Sequence, residues 1–248
     1  MKTLEQIKSA IQNNEFHLEY MPTIDLATNQ CIGAEALVRW VHNNEFISPD
    51  EFIPLIENTS LSGLLTYLII EMVEQDLGEW LRQNADVHVG INIPPELLGR
   101  GGLEYAAIKC GLVDVIDKLI LEITERGFPD HIGLASLTNL NGRVQVAIDD
   151  FGTGDANLLE LSKMDADIIK LDKYFIDQIT SETDVPKIVK GLVAFAQAME
   201  MKIIAEGVES EIQAKVLQNL NVQMAQGWYF SKPLKANKFI QFSASNRE

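Results

Sequence analysis

Carboxylate side chains recur at the ends of short apolar runs along this chain of 248 residues. They belong to Glu35, Glu122, Asp149, Asp150 and Glu206. Carboxylates gathered in one cleft repel each other, and their pKa values rise unless cations bind among them. Hard divalent cations such as Mg²⁺ and Mn²⁺ suit such a cleft because they prefer oxygen ligands. The pattern therefore predicts a divalent metal site, in which the adjacent Asp149 and Asp150 could bridge two ions.

Three further polar side chains occur at positions of the same kind. Asn92 offers a neutral amide oxygen, and Gln226 follows the last apolar run. Lys170 offers a fixed positive charge, able to orient a nucleophilic water or to stabilise charge that develops on phosphorus. This combination indicates metal-assisted hydrolysis of a phosphodiester. The residues alone leave a second enzyme class open, because Mg²⁺ enzymes that stabilise an enolate with a lysine base use the same side chains.

Each of these residues also has an ordinary structural interpretation. Asp and Gly dominate turns, so the stretch Asp149–Gly154 could be a simple turn. Asn92 stands shortly before Pro94-Pro95 and could cap a helix, and Glu206-Gly207 could be a plain loop. Metal-type or acid–base residues recur at six of the eight predicted strand ends, and this recurrence favours a shared site.

The elements that must position these residues are short apolar runs that alternate with helical patterns. Such nearly continuous apolar runs are typical of parallel strands buried on both faces. The predicted strands are Phe16–Tyr20, Cys31–Ala34, Val87–Ile91, Leu119–Ile123, Val144–Ile148, Ile168–Leu171, Met201–Ile204 and Val222–Ala225. Apolar residues at helical spacing predict helices over Leu61–Trp80 and Val185–Met199, and Thr3 with Gln6 predicts a capping box on the first helix.

Eight strands with intervening helices favour an α/β fold of the TIM-like (β/α)8 barrel type, which needs about 250 residues. Residues 1–248 are therefore predicted to form a single domain. An open doubly wound sheet would carry a glycine-rich turn after the first strand, and Met21–Asp25 contains no glycine. Only the stretch Asp25–Gln30 separates the first two strands, so we expect one antiparallel strand near the N-terminus. In such a barrel the carboxyl ends of the strands converge on one mouth.

Composition excludes several classes of partner. The formal net charge of −16 disfavours nucleic acid polymers and anionic membranes, because phosphate contacts need clustered Lys and Arg. Hydrophobic residues make up 46% of the chain, which is enough for a large core. The two cysteines, Cys31 and Cys110, lie far apart and are expected to be reduced thiols in a cytoplasmic protein. A small anionic ligand stays possible if metal ions offset the carboxylates.

Seven segments, in chain order, resemble the EAL domain, a bacterial phosphodiesterase that linearises cyclic di-GMP. They are Glu35–Trp40, Phe52–Glu57, Leu121–Glu125, Asp149–Gly154, Lys170–Asp172, Ala205–Glu209 and Gln226–Phe230. One three-letter match would carry little weight, whereas seven in order, over roughly residues 15 to 240, are highly specific. The resemblance implies hydrolysis of cyclic di-GMP to linear 5′-pGpG, a barrel with one antiparallel strand, and a homodimer.

The resemblance also implies a metal site with two Mg²⁺ or Mn²⁺ ions, at which Ca²⁺ would be inhibitory. The implied ligands are Glu35, Asn92, Glu122 and Asp149 for the first ion, and Asp149, Asp150 and Glu206 for the second. Lys170 matches the catalytic lysine near the attacking water, and Glu35 and Glu206 are implied to take part in catalysis.

Substrate-binding positions follow from the same resemblance. They are Arg39, which matches a phosphate contact, together with Leu37, Met21, Gln226 and Asp172. Glu125 matches the glutamate that steadies the loop after Asp150.

This sequence departs from the family pattern at three places. Met21 stands where the family usually has a glutamine expected to contact a guanine, and Pro94 stands where a serine is common. The loop after Gly154 reads Asp155-Ala156-Asn157 in place of an aromatic and small hydroxyl residues. The departures favour the alternative function, a catalytically weak or inactive receptor for cyclic di-GMP or a protein-interaction module.

Overall fold

Nine strands form one sheet that closes into a barrel in the computed structural model, which describes residues 2–124, 127–140, 142–152 and 163–246. The strands are β1 (Phe16–Asp25), β2 (Cys31–His42), β3 (Glu45–Ile47), β4 (His88–Asn92), β5 (Leu119–Thr124), β6 (Gln145–Phe151), β7 (Ile168–Leu171), β8 (Lys202–Ala205) and β9 (Met224–Ala225). The sheet order is β1-β9-β8-β7-β6-β5-β4-β2-β3, and pairing of β1 with β2 closes a ring of eight strands. The predicted TIM-like barrel is therefore confirmed.

Strand β1 runs antiparallel to both of its neighbours, β2 and β9, as the short β1–β2 connection predicts. The connection is tight because the Asp25 side chain accepts hydrogen bonds from the backbone N–H groups of Ala27 and Thr28. Both strands of this hairpin are longer than predicted, and β3 pairs with the far end of β2 outside the closed ring. The extension reflects pairing between long neighbouring strands, which apolar runs alone do not reveal.

Helices surround the barrel. Those described are α1 (Leu4–Gln12), α2 (Pro49–Ile56), α3 (Ser60–Gln83), α4 (Gly102–Cys110), α5 (His131–Leu140), α6 (Lys173–Ile176), α7 (Lys187–Ala198), α8 (Glu211–Asn219) and α9 (Ala236–Ser245). The predicted capping box of Thr3 and Gln6 is present on α1. Helix α7 begins two residues later than predicted, because Pro186 caps it with extended backbone. Among the described helices, none has the length and apolar character that crossing a membrane requires.

Two separate apolar clusters hold the fold together. The larger one packs the helices against the outside of the barrel. The smaller one fills the inside of the barrel and consists of Ile120, Ala147, Ile168, Ile204 and Met224. Alternate residues of a strand point to the same face, so the residue two positions further along each of these strands also points inward. Those next positions are Glu122, Asp149, Lys170, Glu206 and Gln226. The apolar cluster is therefore the floor on which the polar site is built.

A histidine lies at the opposite, amino-terminal end of the parallel strands. His88 opens β4 opposite Gly33 of β2, and a Cβ atom at Gly33 would collide with the His88 ring. The Nε2 atom of His88 is buried and has no hydrogen-bond partner among the described residues. Burial, reinforced by the positive charge of Lys202, lowers the pKa of His88 to about 4. The ring is therefore neutral in the folded protein at neutral pH.

The stability of the fold should depend on pH through His88. Its folded pKa of about 4 lies below the unfolded value near 6.5, so unfolding takes up a proton between these values. The stabilisation is complete above pH about 6.5 and is lost as the pH falls towards about 4. Replacing His88→Gln should remove this dependence. Measured by urea unfolding, the free energy of unfolding of the wild type relative to the variant should fall by about 2 kcal/mol between pH 7 and pH 5.

Comparison with the variant isolates the histidine, because the carboxylates of the barrel titrate equally in both proteins. Parallel curves of stability against pH for the wild type and His88→Gln would contradict this interpretation.

Candidate active site

The ammonium group of Lys170 lies at the centre of four carboxylates inside the mouth of the barrel. Its Nζ atom is 2.8 Å from Glu206, 2.9 Å from Glu122, 3.0 Å from Asp149 and 3.1 Å from Glu35. These five residues come from β2, β5, β6, β7 and the end of β8, so the barrel brings together side chains that lie far apart in the sequence. Each was a candidate on sequence grounds, whereas their arrangement around a single lysine was not predicted.

Burial dominates the electrostatics of this cluster. Burial raises the pKa of Glu122 well above its usual value, and the neighbouring charge of Glu35 raises it further. Burial likewise raises the pKa of Glu206 to about 8, although Lys170 acts in the opposite direction. The pKa of Lys170 would be lowered by burial alone, but the surrounding carboxylates hold it well above its usual range. One ammonium therefore stabilises the cluster without matching all its carboxylates, which favours binding of further cations.

The carboxylates form two overlapping groups with the spacing of metal ligands. Glu35, Glu122 and Asp149 form the first group, and Asp149, Asp150 and Glu206 form the second. Within each group the carboxylate oxygens lie within 4.8 Å of one another. Asp149 belongs to both groups, as a ligand shared by two ions would. A donor set of carboxylate oxygens fits Mg²⁺ or Mn²⁺, which prefer hard oxygen ligands.

A break in strand register allows Asp149 and Asp150 to serve the same site. Neighbouring residues of a regular strand point to opposite faces. The pairing of β6 with β7 shifts between Ile148 and Phe151, and Asp150 has a positive φ of 56°. Such irregularities re-aim side chains, and Asp tolerates positive φ better than most residues. Sequence reasoning missed this break, for which the run of Asp and Gly that begins at the end of β6 was the available signal.

Two amide side chains border the carboxylate cluster. Asn92 donates a hydrogen bond of 2.9 Å from Nδ2 to Glu35. Gln226 is buried and donates a hydrogen bond of 2.8 Å from Nε2 to the hydroxyl of Thr23 on β1. Met21 stands directly opposite Glu35 in the β1–β2 pairing. Thr23 was missed because nothing in a strand sequence marks which residue faces a distant amide.

A glycine makes room for the buried carboxylate of Glu122. Gly90 is paired with Glu35 of β2 in the sheet, and a Cβ atom built on Gly90 would collide with Oε1 of Glu122. The absence of a side chain at Gly90 therefore lets Glu122 turn towards the barrel axis. Sequence reasoning missed Gly90 as well, because its backbone needs no special conformation.

Beyond Glu35, strand β2 carries Leu37 and Arg39 at alternate positions, so both share its face. The Nε atom of Arg39 donates a hydrogen bond of 2.8 Å to Glu19 of β1. Glu19 was not among the site residues predicted from the sequence. Asp172 follows β7 and caps α6, where its side chain accepts a hydrogen bond of 2.8 Å from the backbone N–H of Tyr174. Glu125 and the loop residues Asp155, Ala156 and Asn157 lie outside the described residues.

Comparison with known proteins places the chain in a family. The chain matches the EAL domain over residues 4–233. The chain belongs to the EAL domain family. This EAL domain is 34% identical over 248 residues to the Escherichia coli K12 protein named "Probable cyclic di-GMP phosphodiesterase PdeB". The alignment covers 96% of this chain and 46% of PdeB, so the chain spans about half the length of that relative.

Two further relatives resemble this EAL domain along most of its length. It is 32% identical to "Cyclic di-GMP phosphodiesterase PdeL" of Escherichia coli K12, with 96% of this chain and 68% of PdeL aligned. The solved structure of the MucR phosphodiesterase of Pseudomonas aeruginosa in complex with c-di-GMP superposes with a TM-score of 0.83 at 30% identity. That superposition covers 95% of this chain and 98% of the chain in the solved structure, whereas the sequence match covers 36% of the full-length MucR protein. The resemblance read from the seven sequence segments is thereby confirmed.

Removing the ammonium at the centre of the carboxylates should destabilise the metal-free protein. Lys170→Met leaves buried carboxylates without their counter-ion, which typically costs about 3–5 kcal/mol. Urea unfolding in EDTA should reveal this loss. Adding Mg²⁺ should stabilise Lys170→Met more than it stabilises the wild type, because the added cations no longer compete with the lysine.

The matched control is Lys173→Met, three residues further along, whose ammonium bridges Asp177 and Glu209 at the surface. Surface ion pairs contribute about 0–1 kcal/mol, so this variant should resemble the wild type with and without Mg²⁺. Equal unfolding curves for the two variants would show that Lys170 is not the counter-ion of the cluster.

Proposed function

We propose that this EAL domain hydrolyses cyclic di-GMP to linear 5′-pGpG, using two Mg²⁺ or Mn²⁺ ions held by Glu35, Asn92, Glu122, Asp149, Asp150 and Glu206. One observation carries the proposal: two clusters of three carboxylate residues lie around the buried Lys170, and both clusters contain Asp149. The activity named for PdeB and PdeL supports the choice of substrate.

Divalent ions held by these six residues would lower the pKa of a water molecule towards neutrality and would neutralise charge on the phosphoryl oxygens. The chain supplies the rest. Lys170 contributes a fixed ammonium next to Glu35 and Glu206. This positive charge would stabilise the negative charge that develops on the phosphoryl group during the reaction. The cluster sits directly above an apolar floor, which limits access of bulk water from below and strengthens these interactions.

Substrate positioning falls to the rim of the barrel. Arg39 is proposed to bind a phosphate, since a planar guanidinium suits phosphate oxygens. Glu19 accepts a hydrogen bond from Nε of Arg39 and so restricts the orientation of that guanidinium. Gln226, fixed by Thr23, is proposed as a contact on the far side of the site. The remaining proposed contacts are Leu37, Met21 and Asp172, and Glu125 is proposed to steady the loop after Asp150.

The wider setting is part of the same proposal. We expect residues 1–248 to act as one domain that forms a homodimer in the cytoplasm. The net charge of −16 argues against binding of nucleic acid polymers and anionic membranes. Cations in the carboxylate cluster reverse the sign of the local field, which would let an acidic protein accept a dianionic ligand.

A receptor without turnover is the second candidate, and the position of Met21 favours it. Met21 pairs with Glu35 at the mouth, where a thioether is only a weak acceptor and donates no hydrogen bond to a guanine. Pro94 precedes a short 3₁₀ segment (Pro95–Leu97) close to Asn92. Both residues would weaken substrate binding without removing any carboxylate of the cluster.

Turnover tests the proposal directly. Incubation with cyclic di-GMP and Mg²⁺ or Mn²⁺, followed by chromatography, should yield linear pGpG, and Ca²⁺ should yield almost none. Glu35→Ala, which removes a proposed metal ligand, and Lys170→Ala, which removes a positive charge beside the reacting phosphate, should each lower kcat by about 100-fold or more. The matched control Glu45→Ala, at an exposed position of β3, should retain the wild-type rate.

Near-wild-type turnover in Glu35→Ala or Lys170→Ala would contradict the proposed mechanism. Binding of cyclic di-GMP without product in the wild type would assign the chain to the receptor class. In that case Met21→Gln tests whether Met21 is the cause, because the variant should gain turnover only if Met21 holds the bound dinucleotide in an unreactive position.

A further inference from the structure

Trp228 differs from the other tryptophans of the chain in its exposure. It is 60% exposed, whereas Trp40 is 1% and Trp80 is 7% exposed. Isolated apolar residues on a surface are common and do not by themselves indicate a ligand. What distinguishes Trp228 is its place at the mouth of the barrel and the residues that hold it there.

The backbone around Trp228 is fixed beside the site. Gln226, inside the barrel, accepts a hydrogen bond from the backbone N–H of Val208, and Val208 accepts one from Tyr229. Gly227 adopts a φ of 153°, and a Cβ atom there would collide with the backbone of Val208. Only glycine permits this close approach between the segments that leave β8 and β9. The backbone of Trp228 is therefore anchored two residues beyond Gln226, beside the segment that leaves β8.

A cation holds the indole ring in place. The ammonium of Lys232 lies over the ring of Trp228, 5.0 Å from its centroid. Tryptophan is the best aromatic partner for such a cation–π contact. The contact restrains the ring and places positive charge beside it, in a chain whose net charge is −16. An exposed, restrained ring next to a cation offers a platform for a planar, electron-rich group that is attached to a phosphate.

The proposed substrate supplies such a group. Only one phosphodiester can react at the carboxylate cluster, so the bases of the dinucleotide must be bound outside it. Purine bases stack on aromatic side chains, and such stacking does not depend on hydrogen bonds to the base. This matters here because Met21, unlike a glutamine, donates no hydrogen bond to a guanine.

We propose that Trp228, backed by Lys232, is a stacking subsite for one purine base of the dinucleotide substrate. The inference rests on the proposed function and adds a specificity-determining residue to it. Trp228 contacts neither metal ligands nor the reacting phosphate in this role. Its loss should therefore weaken binding and raise KM while leaving kcat nearly unchanged.

Tryptophan fluorescence tests the subsite without requiring turnover. Of the three tryptophans, Trp228 is exposed, whereas Trp40 and Trp80 are buried. The full chain is titrated with cyclic di-GMP in Ca²⁺, while calorimetry follows binding and chromatography verifies that the ligand is intact. We expect quenching of the wild-type emission that saturates together with the binding heat. Trp228→Phe should bind within about fivefold of the wild type, because phenylalanine also stacks, yet should lose the quenching. Trp228→Ala should bind roughly 5- to 150-fold more weakly.

Tyr105→Ala is the matched control, because Tyr105 is an aromatic residue, 69% exposed, on the outer helix α4. It should bind and quench as the wild type does. Binding heat without a change in emission, or binding by Trp228→Ala equal to that of Tyr105→Ala, would overturn the subsite and leave the proposed function intact. The absence of any binding heat in the wild type would overturn the proposed function and the subsite with it.

Discussion

The ion cluster of Lys170 with Glu35, Glu122, Asp149 and Glu206 sets the main constraint on this structure. Burying a charge costs free energy unless an opposite charge lies close to it. Each charged side chain must therefore be placed accurately near the barrel axis. The partners come from different strands, and a shift of one residue in any strand would turn its side chain outwards. The cluster can therefore form only when the register of the whole barrel is correct.

The barrel interior is built in two layers, an apolar layer and a polar layer above it, and this arrangement places the charged side chains. Apolar residues such as Ile120 and Ile168 fill the interior two positions before the polar ones, so the same strand pleat that builds the floor also aims Glu122 and Lys170. Closure depends on the antiparallel hairpin, which brings Met21 and Thr23 of β1 beside the other strand ends. Glycine occupies a crowded position of the interior: Gly90 has no side chain, which leaves room for the carboxylate of Glu122. Stability and function are coupled here, since loss of register would remove both the core and the site.

Much of this architecture could be predicted from the sequence because its signals are local. Apolar runs marked every strand of the closed ring, and the short connection after Asp25 indicated the hairpin. The position of polar residues at strand ends indicated which side chains meet at the mouth, since parallel strands share a direction.

Other features could not be predicted because they depend on contacts across the barrel. The break in register that re-aims Asp150 depends on how β6 meets β7. The hydrogen bonds of Thr23 with Gln226 and of Glu19 with Arg39 join residues on different strands. The central place of Lys170 follows from the packing of side chains from several strands, which no single segment of the sequence records.

The most direct test of the central claim is to locate the metal ions in crystals grown with Mn²⁺, using anomalous scattering. The account predicts two manganese peaks that share Asp149 as a ligand, one with Glu35 and Glu122 and the other with Asp150 and Glu206. It also predicts that the ammonium of Lys170 moves out of the centre of the carboxylates. Carboxylates that still surround Lys170 at saturating Mn²⁺, with no manganese peak among them, would contradict the account.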